Sequence, residues 1–294
     1  MVTPATGQNS AVKVSRMVTS IAARRGGGHA VMTQNGLELL DMETGALTPV
    51  VDPEESIESN RFNDAKCDRR GRFWAGSMAL DASAPSGSLY CIEPDGTYRR
   101  VDTGFTVSNG MDWSPDDKSM YFADSAQGCV FVYDFDLERA TVSNRRPLIT
   151  IPAVEGKPDG LTVDAEGVIW VAVWDGWSVR RYAPDGRLDR IVVVPVPRPS
   201  SCCFGGPIST GSILPRAEFA LPSVCWSKRR CRVGCLSLSR ACAASRAGSL
   251  RDEYQPLSEP EGQVGSGDGR GVRHRPGHGL RLCPAGCACW DCRP

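Results

Sequence analysis

The sequence predicts an all-β fold, a β-propeller over residues 17–206, and three observations carry that prediction. A unit of turn plus short aromatic strand recurs at steps of 47 residues (Trp74 to Tyr121) and 49 residues (Tyr121 to Trp170). Other short apolar runs fall between the copies, giving about four strands per unit, the make-up of a propeller blade. Glycine (31) and proline (21) are spread along the 294 residues, which favours tight turns over long helices.

The copies run in order along the chain. The earliest and weakest is Arg24-Arg25-Gly26-Gly27-Gly28-His29-Ala30-Val31, followed by Asp68-Arg69-Arg70-Gly71-Arg72-Phe73-Trp74-Ala75. The third is Ser114-Pro115-Asp116-Asp117-Lys118-Ser119-Met120-Tyr121, and the fourth is Asp164-Ala165-Glu166-Gly167-Val168-Ile169-Trp170-Val171. Each is a polar turn carrying Asp or Gly and then a strand with an apolar or aromatic residue at the same phase. Intervening strands are expected at Ser88–Ile92, Cys129–Tyr133, Ser178–Tyr182 and Arg190–Val194. A β-sandwich would also be rich in short strands, but it has no reason to repeat one phase.

Composition narrows the function classes. Hydrophobic residues make up 41% and charged residues 23%, enough apolar material for a sizeable core. The net charge of zero conceals an asymmetry, with 21 Lys and Arg against 27 Asp and Glu up to residue 206, and 13 against 7 after it. A globally basic nucleic-acid binder is therefore not indicated. Eight of the 13 cysteines lie after residue 206, and the other five are irregularly spaced, as reduced packing cysteines are. No run approaches the ~18–20 apolar residues of a membrane span. No basic-then-apolar signal follows Met1, so a cytoplasmic protein is expected. Gly-x-Ser-x-Gly, Walker and His-Glu-x-x-His motifs are missing, and two of the three histidines, His274 and His278, lie in the tail, away from His29.

Residues at one blade phase converge on the channel of a propeller. Asn63 lies 11 residues before Trp74, Asn109 lies 12 before Tyr121, and Asp159 lies 11 before Trp170. Two amides and a carboxylate are hard oxygen donors suited to Ca²⁺, Mg²⁺ or Mn²⁺. Taken singly, Asn63-Asp64, Asn109-Gly110 and Asp159-Gly160 read as ordinary turn dipeptides. Their shared phase is what favours a site.

These segments resemble the regucalcin (senescence marker protein)/gluconolactonase family over roughly residues 17–206. The matching stretches are Asn60-Arg61-Phe62-Asn63-Asp64-Ala65-Lys66, Ser108-Asn109-Gly110-Met111-Asp112-Trp113-Ser114, Ser143-Asn144-Arg145-Arg146, Lys157-Pro158-Asp159-Gly160 and Ser200-Ser201-Cys202-Cys203-Phe204-Gly205-Gly206. The resemblance implies a six-bladed propeller holding one divalent metal ion (Ca, Zn, Mg or Mn) and acting on a small-molecule sugar lactone. It implies Asn109 and Asp159 as metal ligands and Arg61 and Asn63 as substrate-binding residues. A carboxylate beside a cation stays ionised and positioned, which makes Asp159 also the candidate catalytic base. Asp124, ending the strand Tyr121-Phe122-Ala123, is a candidate to support the ligands from behind.

The resemblance also implies parts that are not matched. The family's first-blade Glu, in a Gly-Glu-x-Pro-x-Trp-like segment, has no counterpart upstream of Met17, and about 45–50 residues of the usual N-terminal portion are expected to be absent. Glu38 is at the wrong phase to replace it. The loop Asp81–Gly87 has no Glu where the family often presents one. After Gly206 the blade pattern stops, so an incomplete propeller is expected, followed by an irregular tail over residues 207–294, disordered or read from a shifted frame. A zinc module in Cys283–Cys292 is disfavoured by its crowded spacing. The leading expectation is a metal-dependent lactonase; the alternatives are a non-catalytic calcium-binding propeller and an inactive truncated product. The sequence does not set the oligomeric state.

Overall fold

Apolar residues alternating with a period of two send neighbouring side chains to opposite faces of a strand, and along this chain that pattern builds one antiparallel sheet after another. The computed structural model describes residues 11–204 in full, and the backbone of residue 205 and of a few short strands outside that span. Two of those strands, β1 (Val2–Thr3) and β2 (Gln8–Asn9), pair with each other. The first blade is β3 (Val18–Arg24), β4 (His29–Thr33), β5 (Gly36–Leu40) and β6 (Leu47–Val51). The second is β7 (Asn60–Cys67), β8 (Phe73–Ala79), β9 (Gly87–Ile92) and β10 (Tyr98–Phe105). The third is β11 (Ser108–Trp113), β12 (Ser119–Asp124), β13 (Cys129–Asp136) and β14 (Thr141–Thr150). The fourth is β15 (Lys157–Val163), β16 (Ile169–Trp174), β17 (Ser178–Tyr182) and β18 (Leu188–Val193). A two-stranded sheet follows, β19 (Pro199–Gly205) with β20 (Ser212–Ala217), and β21 (Cys289–Trp290) pairs in parallel with β3.

The expected propeller architecture is thus present as four four-stranded blades, the first extended by β21 into a five-stranded sheet, and the start of a fifth; among the described residues these sheets do not close into a ring. Each blade is an up-and-down meander, and the first strands β3, β7, β11, β15 and β19 lie side by side. The expected strands at Ser88–Ile92, Cys129–Tyr133 and Ser178–Tyr182 are all found, and the last one runs Leu188–Val193 rather than Arg190–Val194. Among the described residues no helix is long and apolar enough to cross a membrane. The expectation of an irregular tail over 207–294, and the Cys283–Cys292 segment, lie outside the described residues apart from the strands β20 and β21.

Four apolar clusters fill the four junctions between successive blades. Along β12, Met120 and Phe122 point into the cluster shared with the second blade, where Trp74, Leu89 and Phe105 lie. Tyr121 and Ala123, the alternate residues, enter the cluster shared with the fourth blade beside Ile169 and Val171. Burial of these side chains from water on both faces holds the blades together.

The 47- and 49-residue steps have a polar cause as well. The Asp68 carboxylate accepts from the Arg70 and Arg72 amides at 2.9 and 3.0 Å, and from Trp74 Nε1 at 2.9 Å. Asp164 does the same one period on, accepting from the Glu166 and Val168 amides and from Trp170 Nε1 at 3.0 Å. In the blade between them Ser114 Oγ accepts from the Ser119 amide at 2.9 Å, and the aromatic is Tyr121. An aspartate that closes the turn and latches the following tryptophan demands both residues at a fixed spacing, which is the repeat visible in the sequence.

Candidate functional site

Asn63, Asn109 and Asp159 each lie four residues before a matched register point. Cys67 opposes Phe73, Trp113 opposes Met120, and Val163 opposes Ile169. All three fall inside an irregularity of strand pairing. Between Phe62 and Ala65, between Ser108 and Met111, and between Pro158 and Leu161, two residues of the inner strand face one residue of its neighbour. A bulge of this kind tilts a side chain out of the pleat, and bulges recur beside functional sites. The dipeptides Asn63-Asp64, Asn109-Gly110 and Asp159-Gly160 are therefore bulge pairs within strands, and the turn reading is corrected.

The glycines in those pairs serve close approach. A Cβ at Gly110 would stand 2.3 Å from the Leu161 amide nitrogen and 2.5 Å from the Asp159 carbonyl oxygen. One at Gly160 would stand 2.4 Å from Ser201 Oγ. Neither glycine has a positive φ, so space rather than backbone freedom selects them. The flanking blades carry hydroxyls at this phase, Thr19 and Ser200, each the extra residue of a pairing shift.

Hydrogen bonds tie the phase together across blades. Arg61 donates to Asn63 Oδ1 at 2.8 Å and to the Phe62 carbonyl at 3.0 Å, while Asn63 Nδ2 donates to the Ser108 carbonyl at 2.7 Å. Asn109 Nδ2 donates to Ser125 Oγ at 2.9 Å, and Ser125 Oγ donates to the Pro158 carbonyl at 2.5 Å. These bonds link Arg61 and Asn63 to the backbone of Ser108, next to Asn109, and link Asn109 through Ser125 to the backbone of Pro158, next to Asp159. Asn109 and Asp159 are buried, each less than a tenth exposed. Below them Asp112 spans the same three blades, accepting from Lys66 Nζ at 2.6 Å, Thr162 Oγ1 at 3.1 Å and the Val163 amide at 2.9 Å.

Asp124 is fully buried, and its carboxylate accepts from the amides of Thr106, Val107, Ala126 and Gln127 and from Gln127 Nε2. It touches neither Asn109 nor Asp159 through these bonds; it shapes the turn that presents Ser125. Ser125 is the residue that sequence reasoning missed, since a lone serine after a strand carries no signal. Arg145, from the Ser-Asn-Arg-Arg stretch, lies on the outermost strand of its blade with its guanidinium 5.2 Å from the centre of the Phe105 ring. Glu38 sits on the third strand of the first blade and accepts from Arg16 at 2.6 Å. Burial pushes its carboxyl pKa up, against the opposing pull of Arg16.

Carboxylates near Arg61 come from the loop before it rather than from Asp81–Gly87. A pocket of about 100 Å³ beside Arg61 is lined by Asp52, Glu54, Glu55, Glu58 and Asn60 among others. Glu54 is buried and accepts from Ser77 Oγ at 2.7 Å, Tyr90 Oη at 2.9 Å and Asn60 Nδ2 at 3.1 Å. Burial, and then the hydrogen bond to Glu54, raises the Tyr90 phenol to about 12.

The donor set fits a hard divalent cation in kind. Asn109 uses its amide nitrogen on Ser125, which leaves its Oδ1 as the acceptor end, and Asp159 adds a carboxylate. Among the described residues no group of three His, Cys, Asp or Glu side chains is arranged to hold a metal ion, so a cation here would rest on amide and hydroxyl oxygens beside a single carboxylate.

Residues 1–210 match the family described as the SMP-30/Gluconolactonase/LRE-like region. A Sulfolobus acidocaldarius protein described as uncharacterized is 39% identical over 201 residues, 68% of this chain and 73% of its own. Regucalcin of Xenopus laevis is 35% identical over 243 residues, 79% of each chain. The solved structure of a calcium-binding protein, regucalcin, from Agrobacterium tumefaciens is similar with a TM-score of 0.66 at 27% identity, covering 69% of each chain.

Proposed function

Because the chain belongs to the SMP-30/gluconolactonase/LRE-like family, we propose that it is a lactone hydrolase taking a small sugar lactone and assisted by one divalent cation. The observation that carries this reading is the shared bulge phase of Asn63, Asn109 and Asp159 on three adjacent inner strands, with Arg61 bonded to Asn63 and with Asn109 tied through Ser125 to Pro158, the residue before Asp159. Asn109 and Asp159 would hold the cation. Bound there, it would supply Lewis-acid polarisation of the lactone carbonyl and a lowered water pKa.

The chain's own residues account for the rest of the chemistry. Hydrolysis needs a base for the attacking water, and the Asp159 carboxylate is the group at hand. Arg61 donates to substrate oxygens, and its partner Asn63 fixes the guanidinium while keeping a second acceptor lone pair for a substrate hydroxyl. Water attacks the carbonyl carbon as Asp159 takes its proton, the ring C–O bond breaks, and the ring oxygen receives that proton and leaves as a hydroxyl of the resulting hydroxy acid. Burial of Asn109 and Asp159 lowers the local dielectric and strengthens each of these interactions.

The test is hydrolysis of gluconolactone above its spontaneous rate with Ca²⁺, Zn²⁺, Mg²⁺ or Mn²⁺, for the wild type and Asp159→Ala. Acceleration lost on substitution by at least about a hundredfold supports the reading. No acceleration under any of the four ions overturns it. The similarity to a regucalcin described as calcium-binding favours one alternative, a propeller that binds Ca²⁺ without turnover. Calcium binding in the absence of hydrolysis would select it.

A further inference from the structure

The inner strands β7, β11 and β15 stand side by side but belong to three different sheets. The hydrogen-bonded ladder within each blade therefore does not set the distance from one inner strand to the next. That distance decides whether Asn63, Asn109 and Asp159 can act on one bound molecule. Side chains that cross between the strands carry the spacing.

One tier of such side chains lies in register with the site. Lys66 follows Asn63 by three residues, Asp112 follows Asn109 by three, and Thr162 follows Asp159 by three. Asp112 Oδ2 accepts from Lys66 Nζ at 2.6 Å on one side, and from Thr162 Oγ1 at 3.1 Å and the Val163 amide at 2.9 Å on the other. Asp112 Oδ1 accepts from the Trp113 amide at 2.9 Å, which fixes the carboxylate on its own strand. The Asp112 side chain is 15% exposed and that of Lys66 27%, so water and salt screen this pair less than an ion pair on the surface. The carboxylate thus has two separable sides. Its bond to Lys66 ties β11 to β7, the strand of Arg61 and Asn63, and its bonds to Thr162 and Val163 tie β11 to β15, the strand of Asp159.

We propose that Asp112 is a positioning residue for the site. Its Lys66 side sets the substrate-binding pair Arg61 and Asn63, and its Thr162 side sets the cation-binding pair Asn109 and Asp159. The roles of the two pairs rest on the lactone-hydrolase reading. Asp112 touches neither pair through these bonds and acts through the strands, where misplacing a group by about 1 Å can cost about a hundredfold.

The experiment compares wild type, Lys66→Met, Thr162→Val and Asp112→Asn. Calorimetry gives the affinity for Ca²⁺ and, at saturating Ca²⁺, for the non-hydrolysable gluconolactam; KM and kcat are measured on gluconolactone. Lys66→Met is expected to weaken lactam binding and raise KM about tenfold, with kcat and Ca²⁺ affinity kept within about twofold. Thr162→Val is expected to weaken Ca²⁺ binding about threefold and to keep lactam affinity within about twofold, because the Val163 amide still holds the carboxylate. Asp112→Asn combines both losses. The first two variants keep the carboxylate, so the comparison stands even where Asp112→Asn does not fold. Charge alone would tighten Ca²⁺ binding in Lys66→Met and leave it unchanged in Thr162→Val, and that result overturns the proposal. Parallel losses of both affinities in Lys66→Met and Thr162→Val, unchanged affinities in all three variants, or a wild type that binds no Ca²⁺ overturn it equally. Affinities that separate as expected without turnover of gluconolactone would overturn the hydrolase reading and leave the positioning role in place.

Discussion

The Asn109 side chain donates to Ser125 Oγ at 2.9 Å, and the proton of that same hydroxyl goes to the Pro158 carbonyl at 2.5 Å. One serine therefore sets the orientation of an amide in the third blade and ties it to the strand that carries Asp159 in the fourth. Ser125→Ala removes the acceptor that fixes Asn109 Nδ2. Partners that orient a ligand in this way typically contribute 10–100-fold to metal affinity, and about tenfold weaker Ca²⁺ or Mn²⁺ binding is expected by calorimetry. An unchanged Kd would mean that Asn109 is not a ligand in the orientation described.

Gly110→Ala tests the bulge itself. Its added methyl would lie 2.3 Å from the Leu161 nitrogen and 2.5 Å from the Asp159 carbonyl oxygen, both backbone atoms that cannot step aside. Overpacking of this kind costs about 1–3 kcal/mol, measurable by urea denaturation. Lactone hydrolysis is expected to fall with it, because the displaced strand is the one bearing Asp159. Gly26→Ala is the control: its Cβ meets nothing within 4 Å and its φ is not positive, so a change within about 0.5 kcal/mol is expected.

Phase was legible in the sequence because two physical constraints repeat with it. An aspartate closing a turn must reach the indole six residues on, as Asp68 reaches Trp74 and Asp164 reaches Trp170. A bulge must carry its site residue and its small neighbour together, as Asn109-Gly110 and Asp159-Gly160 do. Motif resemblance added Arg61, which the structure joins to Asn63. Ser125 and Glu54 were not legible, because each acts through partners far along the chain: Pro158 for one, Ser77 and Tyr90 for the other. The bulges themselves were hidden too, since a strand dipeptide and a turn dipeptide of the same composition look alike until the opposing strand is placed.

Asp68→Ala should be among the most damaging substitutions outside the site. Asp68 pairs with Arg72 at 2.6 Å, and both side chains are almost wholly buried. Removing the carboxylate leaves the guanidinium without its counter-charge and frees Trp74 Nε1 and two turn amides. Breaking a buried pair from one side costs about 3–5 kcal/mol. A drop of under about 1 kcal/mol in urea denaturation would mean that water reaches Arg72 and that the turn is not the blade latch described here.

Alkaline pH should unfold the protein through its buried thiols. Burial raises Cys91 and Cys202 from 9.0 to about 12, and Cys129 from 9.0 to about 11. Each thiol therefore keeps its proton in the folded chain at a pH where the unfolded chain has lost it. Their contribution to stability is full below about pH 9, where both states are protonated, and is lost as pH rises from there toward 11–12. Urea midpoints are expected to fall steadily between pH 9 and about 10.5, with Cys91→Ala starting lower for its cavity but declining less steeply. The same raised values keep these thiols from reacting with iodoacetamide at pH 8 in the folded state. Rapid alkylation of Cys91 there, or urea midpoints independent of pH above 9, would mean that the blade junctions are open to solvent.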